Sequence, residues 1–320
     1  MIIHPEIGSL RGNDAPQRIA QEALHDAITA WRARPGVAEV IADVSAFASG
    51  LPMADCPALA RLFEEGDDAA AFAREFCAAA CAELQSSPLA HLPLRHFHDD
   101  AISTLLVARS GNVTLSLAAI EGEGLRARPA AKSASFWPGE AWEAVLSGTG
   151  GAELVEYRSH GADGAELRCL QTTLQPGKVI CRDASRQALV LRDVQGCLVS
   201  LRLQRRSARA GVTREYALDN GALLHQAAGD PRDSRMELMM AALGRMGRAD
   251  AAPLMAQVAT GNGAEALRWQ ALRECLALDT LTGFTALTTI AGSPADALSG
   301  PGQALRSQLV SAYPQFAGIA

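Results

Sequence analysis

Ile19, Ala20, Ala23, Leu24, Ala27, Ile28 and Trp31 recur at a spacing that gathers them on one helical face. Asn13 or Asp14 stands before this stripe as N-cap, Pro16 falls in its first turn, and Pro35 with Gly36 ends it. Val37, Val40, Ile41, Val44 and Phe47 predict a second helix. The stretches "DCPALARLFEEG" and "DDAAAFAREFCAAACAELQSS" predict two more, each opened by an acid that complements the helix dipole.

Near residue 91 the period shortens. "ISTLLVARSGNVTLSLAAIEG" holds two β-rich runs around Ser110-Gly111-Asn112, a hairpin signal. "AWEAVLSGTGGAELVEYRS", "ELRCLQTTLQPGKVICRD", "QALVLRDVQGCLVSLRLQRR" and "VTREYALDNGALLHQ" follow, with Gly, Asp and Pro between the runs. Many short strands of this kind predict a sandwich or barrel. "SGTGGAE" reads as a hairpin turn joining two strands.

From about residue 233 the chain is helical again and repeats itself. "AALGRMGRAD" at 241–250 aligns with "QALRECLALD" at 270–279, pairing Ala242 with Ala271, Leu243 with Leu272 and Asp250 with Asp279. "QALRECL" recurs as "QALRSQL" at 303–309. A period near 30 suits HEAT-like hairpins, each burying a face on the next. A plain helical bundle reads equally well, because Ala/Leu-rich helices resemble each other. The expected domains are a helical lead-in (1–90), a β-barrel (91–228) and a helical region (229–320), an α+β fold class.

Composition narrows the function classes. The chain has 320 residues, 48% hydrophobic and 20% charged, so a core can form without staples. A formal charge of -6 gives no bulk attraction to nucleic acid. No run of about 18 apolar residues predicts a membrane span. The opening "MIIHPEIGSLRGND" lacks the pattern of a signal peptide, so the expected compartment is the cytoplasm. Seven cysteines include no C-x-x-C pair. Cys77 and Cys81 share a helical face and read as two small apolar residues against a core. Walker, dinucleotide and nucleophile-elbow motifs are absent from the sequence.

The β segment is similar to a cupin barrel, within that group to the cysteine-dioxygenase-like branch. The resemblance rests on "EAVLSGTGGAELVEY" at 143–157 as a strand-turn-strand with Gly148 at the turn, "LQPGKV" at 174–179 as a Pro-Gly turn, and "LVSLRLQRR" at 198–206 as a closing strand. It implies a transition metal, usually iron, held by a His-x-His pair and a later third histidine. Imidazole suits such metals, and residues i and i+2 of a strand face the same way. Carried over from Gly148, the pair falls at Ala134 and Phe136 and the third ligand near Gln187. A shift by one residue reaches Ser133, Ser135, Trp137, Arg186 and Ala188. None is histidine, so the resemblance implies a degenerate metal site.

Two readings of the site follow. In the first, Phe136, Trp137 and Trp142 line an apolar pocket with Glu140, Gln187 and Arg202 as polar contacts, and there is no catalytic residue, metal or other cofactor. The aromatics could equally plug the barrel as core. In the second, "HFHDD" supplies His96, His98 and Asp100 to iron or another divalent transition metal, in a dioxygenase-like enzyme whose remaining ligand is not evident. Arg202, Arg205, Arg206 and Arg209 form a basic cluster that reads as an exposed strand end or a contact for an anion. The favoured expectation is a non-catalytic binding or regulatory protein. A small molecule would occupy the barrel, and a protein partner or second copy would bind the helical region. Neither nucleic acid nor membrane is an expected partner.

Overall fold

The computed structural model describes residues 12–64, 67–161, 164–207 and 211–318. The chain divides into two compact units, one of Met1–Ala208 with Glu215–Leu224 and the other of Arg209–Arg214 with His225–Ala320. The fold class is α+β: helices, then antiparallel strands, then helices.

The first unit opens with α1 (Ala15–Arg32), α2 (Pro35–Ala48), the short α3 (Pro57–Arg61) and α4 (Asp68–Ser86). Asn13 accepts from the Ala15 amide at 2.9 Å, while Asp14 occupies the N-cap position with its side chain paired to Arg18 and making no capping bond. Leu24, Ile28 and Trp31 are buried as the stripe requires, but Ile19 is 67% exposed. Pro35 does more than end α1. It opens α2 at once, where its missing N–H costs no hydrogen bond. Cys77 and Cys81 are both exposed on α4, so they are surface positions rather than the core positions expected of them. Core contact on that helix falls instead to Phe72 and Phe76, which meet the Trp31 ring edge-on at 5.4 and 5.1 Å.

Strands β1 (His96–His98), β2 (Ile102–Ser110) and β3 (Val113–Glu121) begin a seven-stranded sheet. The β2–β3 hairpin turns at Gly111-Asn112, with Ser110 opposite Val113, as the turn signal predicts. After the short α5 (Gly122–Arg126) come β4 (Ser133–Phe136), β5 (Gly139–Gly161), β6 (Gly164–Leu174), β7 (Val179–Asp183) and β8 (Gln187–Arg206). The large sheet has the order β1-β2-β3-β8-β5-β6, with β7 also on β5. β9 (Val212–Ala217) and β10 (Leu223–Ala228) complete a three-stranded sheet of order β10-β9-β4.

The expected turn at Gly148 is not a turn. β5 runs through it as one strand, with register shifts against β8 at Val145/Ser147 and Ser147/Thr149. Gly148 has φ of 82°, and a Cβ there would stand 2.1 Å from the Cys197 carbonyl oxygen. The glycines therefore make a bulge, which bends a strand without ending its pairing. Before the bulge β5 pairs with β7, and beyond it with β6, while β8 pairs along the other side of both halves.

One face of the sheet shares a core with the N-terminal helices. Val113, Leu115, Leu201 and Leu203 join Leu24, Trp31, Val44 and Phe47 in a single buried cluster. The other face carries a second cluster that includes Ile120, Val145, Leu174, Ile180 and Leu198. Phe136, Val155, Ala188 and Tyr216 form a third.

The second unit contains α6 (Pro231–Arg245), α7 (Ala252–Thr260), α8 (Glu265–Leu278), α9 (Thr280–Ala291) and α10 (Ser299–Ala312). Its core is built on Met255, Leu272, Phe284, Leu287 and Ile290. Gly283 on α9 lets that helix approach α8, because a Cβ there would lie 2.6 Å from the Leu276 backbone. α7 and α9 occupy matching places in the offset that relates the two sequence segments, as do α8 and α10 in the second one. None of the helices among the described residues is long and apolar enough to cross a membrane.

Candidate functional site

Residues directly opposite in an antiparallel ladder share a face, and the pairing settles which side chains meet. On β5, Glu143 stands opposite Arg202 of β8 and Ile180 of β7, and Ala141 opposite Gln204 and Arg182. This is the face carrying Val145, Ile180 and Leu198, away from the N-terminal helices. Here the sheet lines a cavity of about 120 Å³. Glu143, Arg182, Arg202 and Gln204 form its polar wall. Leu174, Leu189, Leu191 and Leu198 form the apolar wall.

Glu143 is 3% exposed and Ser200 1% exposed, which makes them the buried polar centre of the site. One carboxylate oxygen, Oε1, accepts from Ser200 Oγ at 2.8 Å, Arg202 Nε at 2.9 Å and Arg202 Nη2 at 2.8 Å. These bonds engage one of the two carboxylate oxygens and turn one edge of the Arg202 guanidinium onto it. Arg182 is differently placed. Its Nε is buried and has no hydrogen-bond partner among the described residues. Burial pulls its guanidinium below the ordinary value, Glu143 opposes that, and Arg202 adds to it by like-charge repulsion. Two guanidinium groups thus face one carboxylate, leaving the wall with one excess positive charge.

Of the six residues expected to line a pocket, only Arg202 lies on this cavity. Glu140 and Trp142 alternate with Glu143 and face the helices. Trp142 meets Phe47 edge-on at 5.5 Å, and Glu140 pairs with Arg205 Nη2 at 2.6 Å. Phe136 is buried in an aromatic trio with Tyr157 and Tyr216, at 6.0 Å from each. Trp137 lies under Arg206, whose Cζ is 5.2 Å from its ring. Gln187, at the start of β8, donates to Glu156 at 3.4 Å. These six do not share one cavity: Glu140 and Trp142 lie together on the helix-facing side, around Phe47 and Arg205, and the other four lie elsewhere. The basic cluster is divided too: Arg205 sits 3.7 Å over the Phe47 ring on the helix-facing side, and Arg209 lies outside the described residues.

His96, His98 and Asp100 are all exposed. The imidazole Nδ1 atoms stand 3.2 Å from the Leu94 carbonyl oxygen and 2.8 Å from Ser103 Oγ. Neighbouring Asp99 accepts from the Ala101 and Ile102 amides, which with Arg128 hold its carboxyl below the ordinary value. Among the described residues no three His, Cys, Asp or Glu side chains converge in the manner of a metal site. At the positions where the cupin resemblance implies ligands, Ala134 and Phe136 offer carbon to a buried cluster and Gln187 offers an amide engaged with Glu156. The cavity itself presents two guanidinium groups, which repel a cation. These residues do not fit the implied metal.

Glu143, Arg182, Ser200 and Gln204 are the members that sequence reasoning missed. A signal existed in "LVSLRLQRR", where Ser200, Arg202 and Gln204 alternate with Leu201 and Leu203. Such a polar row usually faces solvent; here it faces a cavity.

The fold and cavity define a class, an α+β protein with a bent antiparallel β region around a small polar chamber. Comparison with solved structures returns proteins that include members of the cupin superfamily. A cupin superfamily protein from Desulfitobacterium hafniense is 13% identical, covering 35% of this chain and 83% of its own, with a TM-score of 0.23. A sugar phosphate isomerase of the cupin superfamily from Silicibacter pomeroyi is 12% identical, covering 38% and 67%, with a TM-score of 0.25. CapF is 14% identical over 37% of this chain, with a TM-score of 0.27, and this chain spans about a third of it (32%). At such identity and overlap these likenesses assign neither activity nor ligand. No family model matches the chain. No curated protein matches it.

Proposed function

We propose that this chain is a non-catalytic binding or regulatory protein. Its β region is a cupin-type barrel without metal-ligating histidines, and it holds a small polar molecule in the cavity at Glu143, Arg182, Arg202 and Gln204. The observation that carries the reading is the chemistry of that wall. A carboxylate engaged by Ser200 and Arg202 through one oxygen, beside a second guanidinium with an unpartnered Nε, suits ligand recognition and not the holding of a metal ion. The helical unit, read as HEAT-like hairpins, offers the surface for a protein partner or a second copy.

The test is direct. The purified protein is analysed for iron, zinc, nickel and manganese, and its thermal unfolding is compared with and without chelator. Unfolding unmoved by chelator, with metal well below one equivalent, is expected. Stoichiometric metal that disappears when His96 and His98 are replaced by Ala would overturn the proposal in favour of a metal-dependent enzyme.

A further inference from the structure

The charge and shape of the cavity narrow its ligand. Resting on the reading that this chamber binds a small molecule, we infer that it takes a short-chain aliphatic monocarboxylate, bound through Arg182 with its tail against the leucines.

Three observations lead there. The first is charge. Glu143 holds Ser200 and Arg202 through Oε1 and also bears on Arg182, so one carboxylate serves two guanidinium groups. Arg182, on the neighbouring strand β7, faces the same chamber with a buried Nε that no described group accepts from. One uncompensated positive charge in a poorly solvated wall is matched by one negative charge on a ligand. A dianion would leave a surplus negative charge beside Glu143.

The second is geometry. A guanidinium donates along two parallel N–H directions, which a planar carboxylate accepts with both oxygens. Gln204 stands on the same face, opposite Ala141 as Arg182 is, so its amide can donate to a carboxylate oxygen beside Arg182.

The third is size and polarity. An apolar cavity of ~150 Å³ holds a benzene molecule, so 120 Å³ admits roughly five or six non-hydrogen atoms. Three of those are the carboxylate. The remainder, about two or three carbons, lies against Leu174, Leu189, Leu191 and Leu198, where a second charged or hydroxylated group would lose its hydration without a partner.

The experiment uses isobutyrate as probe on the full chain, with isobutyramide and inorganic phosphate as comparisons, read by calorimetry and thermal shift. Isobutyrate is expected to bind and to raise the unfolding temperature. The isosteric neutral amide is expected to bind at least about tenfold more weakly, as is typical when a charged hydrogen bond is lost. This comparison needs no variant, so it stands even if substitutions disturb the fold. Arg182→Met, checked for native circular dichroism, is expected to weaken isobutyrate by at least about tenfold. Amide binding equal to acid binding overturns the inference, as does phosphate binding more tightly than isobutyrate, or affinity unchanged in Arg182→Met. If isobutyrate does not bind, a wider panel of neutral molecules of similar size decides what has failed. A neutral binder removes only the monocarboxylate assignment. No binder at all removes the small-molecule reading with it.

Discussion

Gly148 shows how one residue shapes the β region. Its positive φ and its approach to the Cys197 carbonyl allow β5 to bulge and continue, so that one strand serves two neighbours in turn. Gly148→Ala adds a Cβ where only 2.1 Å is free and forces an L-residue into left-handed backbone. It is expected to destabilise the first unit by at least about 2 kcal/mol, read as a lowered urea midpoint in equilibrium unfolding. Gly111→Ala, in the β2–β3 turn where a Cβ has 3.8 Å of room, is expected to cost less, since only the backbone term applies. Equal losses would show that crowding at Cys197 is not the deciding effect.

At the scale of elements, the helical unit contains an ion pair built on the buried Arg268. Arg268 of α8 donates from Nε to the Ala259 carbonyl at 2.9 Å and from Nη1 to Asp296 at 3.0 Å. Asp296 also accepts from the Leu298 amide at 2.9 Å, ahead of α10. The Arg268 bond first, then the Leu298 amide, holds the Asp296 carboxyl below its ordinary value. The folded state therefore binds a proton more weakly there than the unfolded chain does. The stabilisation is complete above the ordinary carboxylate value, ~3.9, and is lost as pH falls through the lower folded value. Arg268→Met is accordingly expected to be clearly less stable than the natural chain at pH 7, with the gap shrinking below about pH 3.9. Urea unfolding at pH 7 and pH 3 measures both gaps; a gap that stays constant would remove this account of the pair.

Across the whole molecule, the two units have separate cores, and each has an aromatic at its centre. Trp31 packs with Phe72 and Phe76 in the cluster that also holds Leu201 and Leu203. Phe284 is fully buried and stacks on Phe316 at 5.0 Å. Trp31→Ala and Phe284→Ala each open a large cavity and are expected to cost about 3–5 kcal/mol in their own unit. In calorimetry, Trp31→Ala should move the transition that carries loss of β structure, although the residue lies on a helix, and Phe284→Ala should move the helical one. If Trp31→Ala left the β transition in place, the shared helix–sheet core would not be what supports the sheet.

The local pattern alone determined the succession of helix, strand and helix. Leu24, Ile28 and Trp31 are bound to one face by the helical period, and Gly111-Asn112 is bound to a hairpin by turn chemistry, both short-range effects. Tertiary structure decided the rest. Alternation places Trp142 and Glu143 on opposite faces of β5, but both faces of that strand are covered, so it cannot say which one borders a chamber. The pairing of Glu143 with Arg202 joins residues 59 positions apart, and it exists only because β5 and β8 align in one register. The same register turns Trp142 and Glu140 toward the helices, and the register of β7 on β5 brings Arg182 to the cavity. A site made of contacts between distant strands is set by sheet register, and the order of residues along any one strand does not contain it.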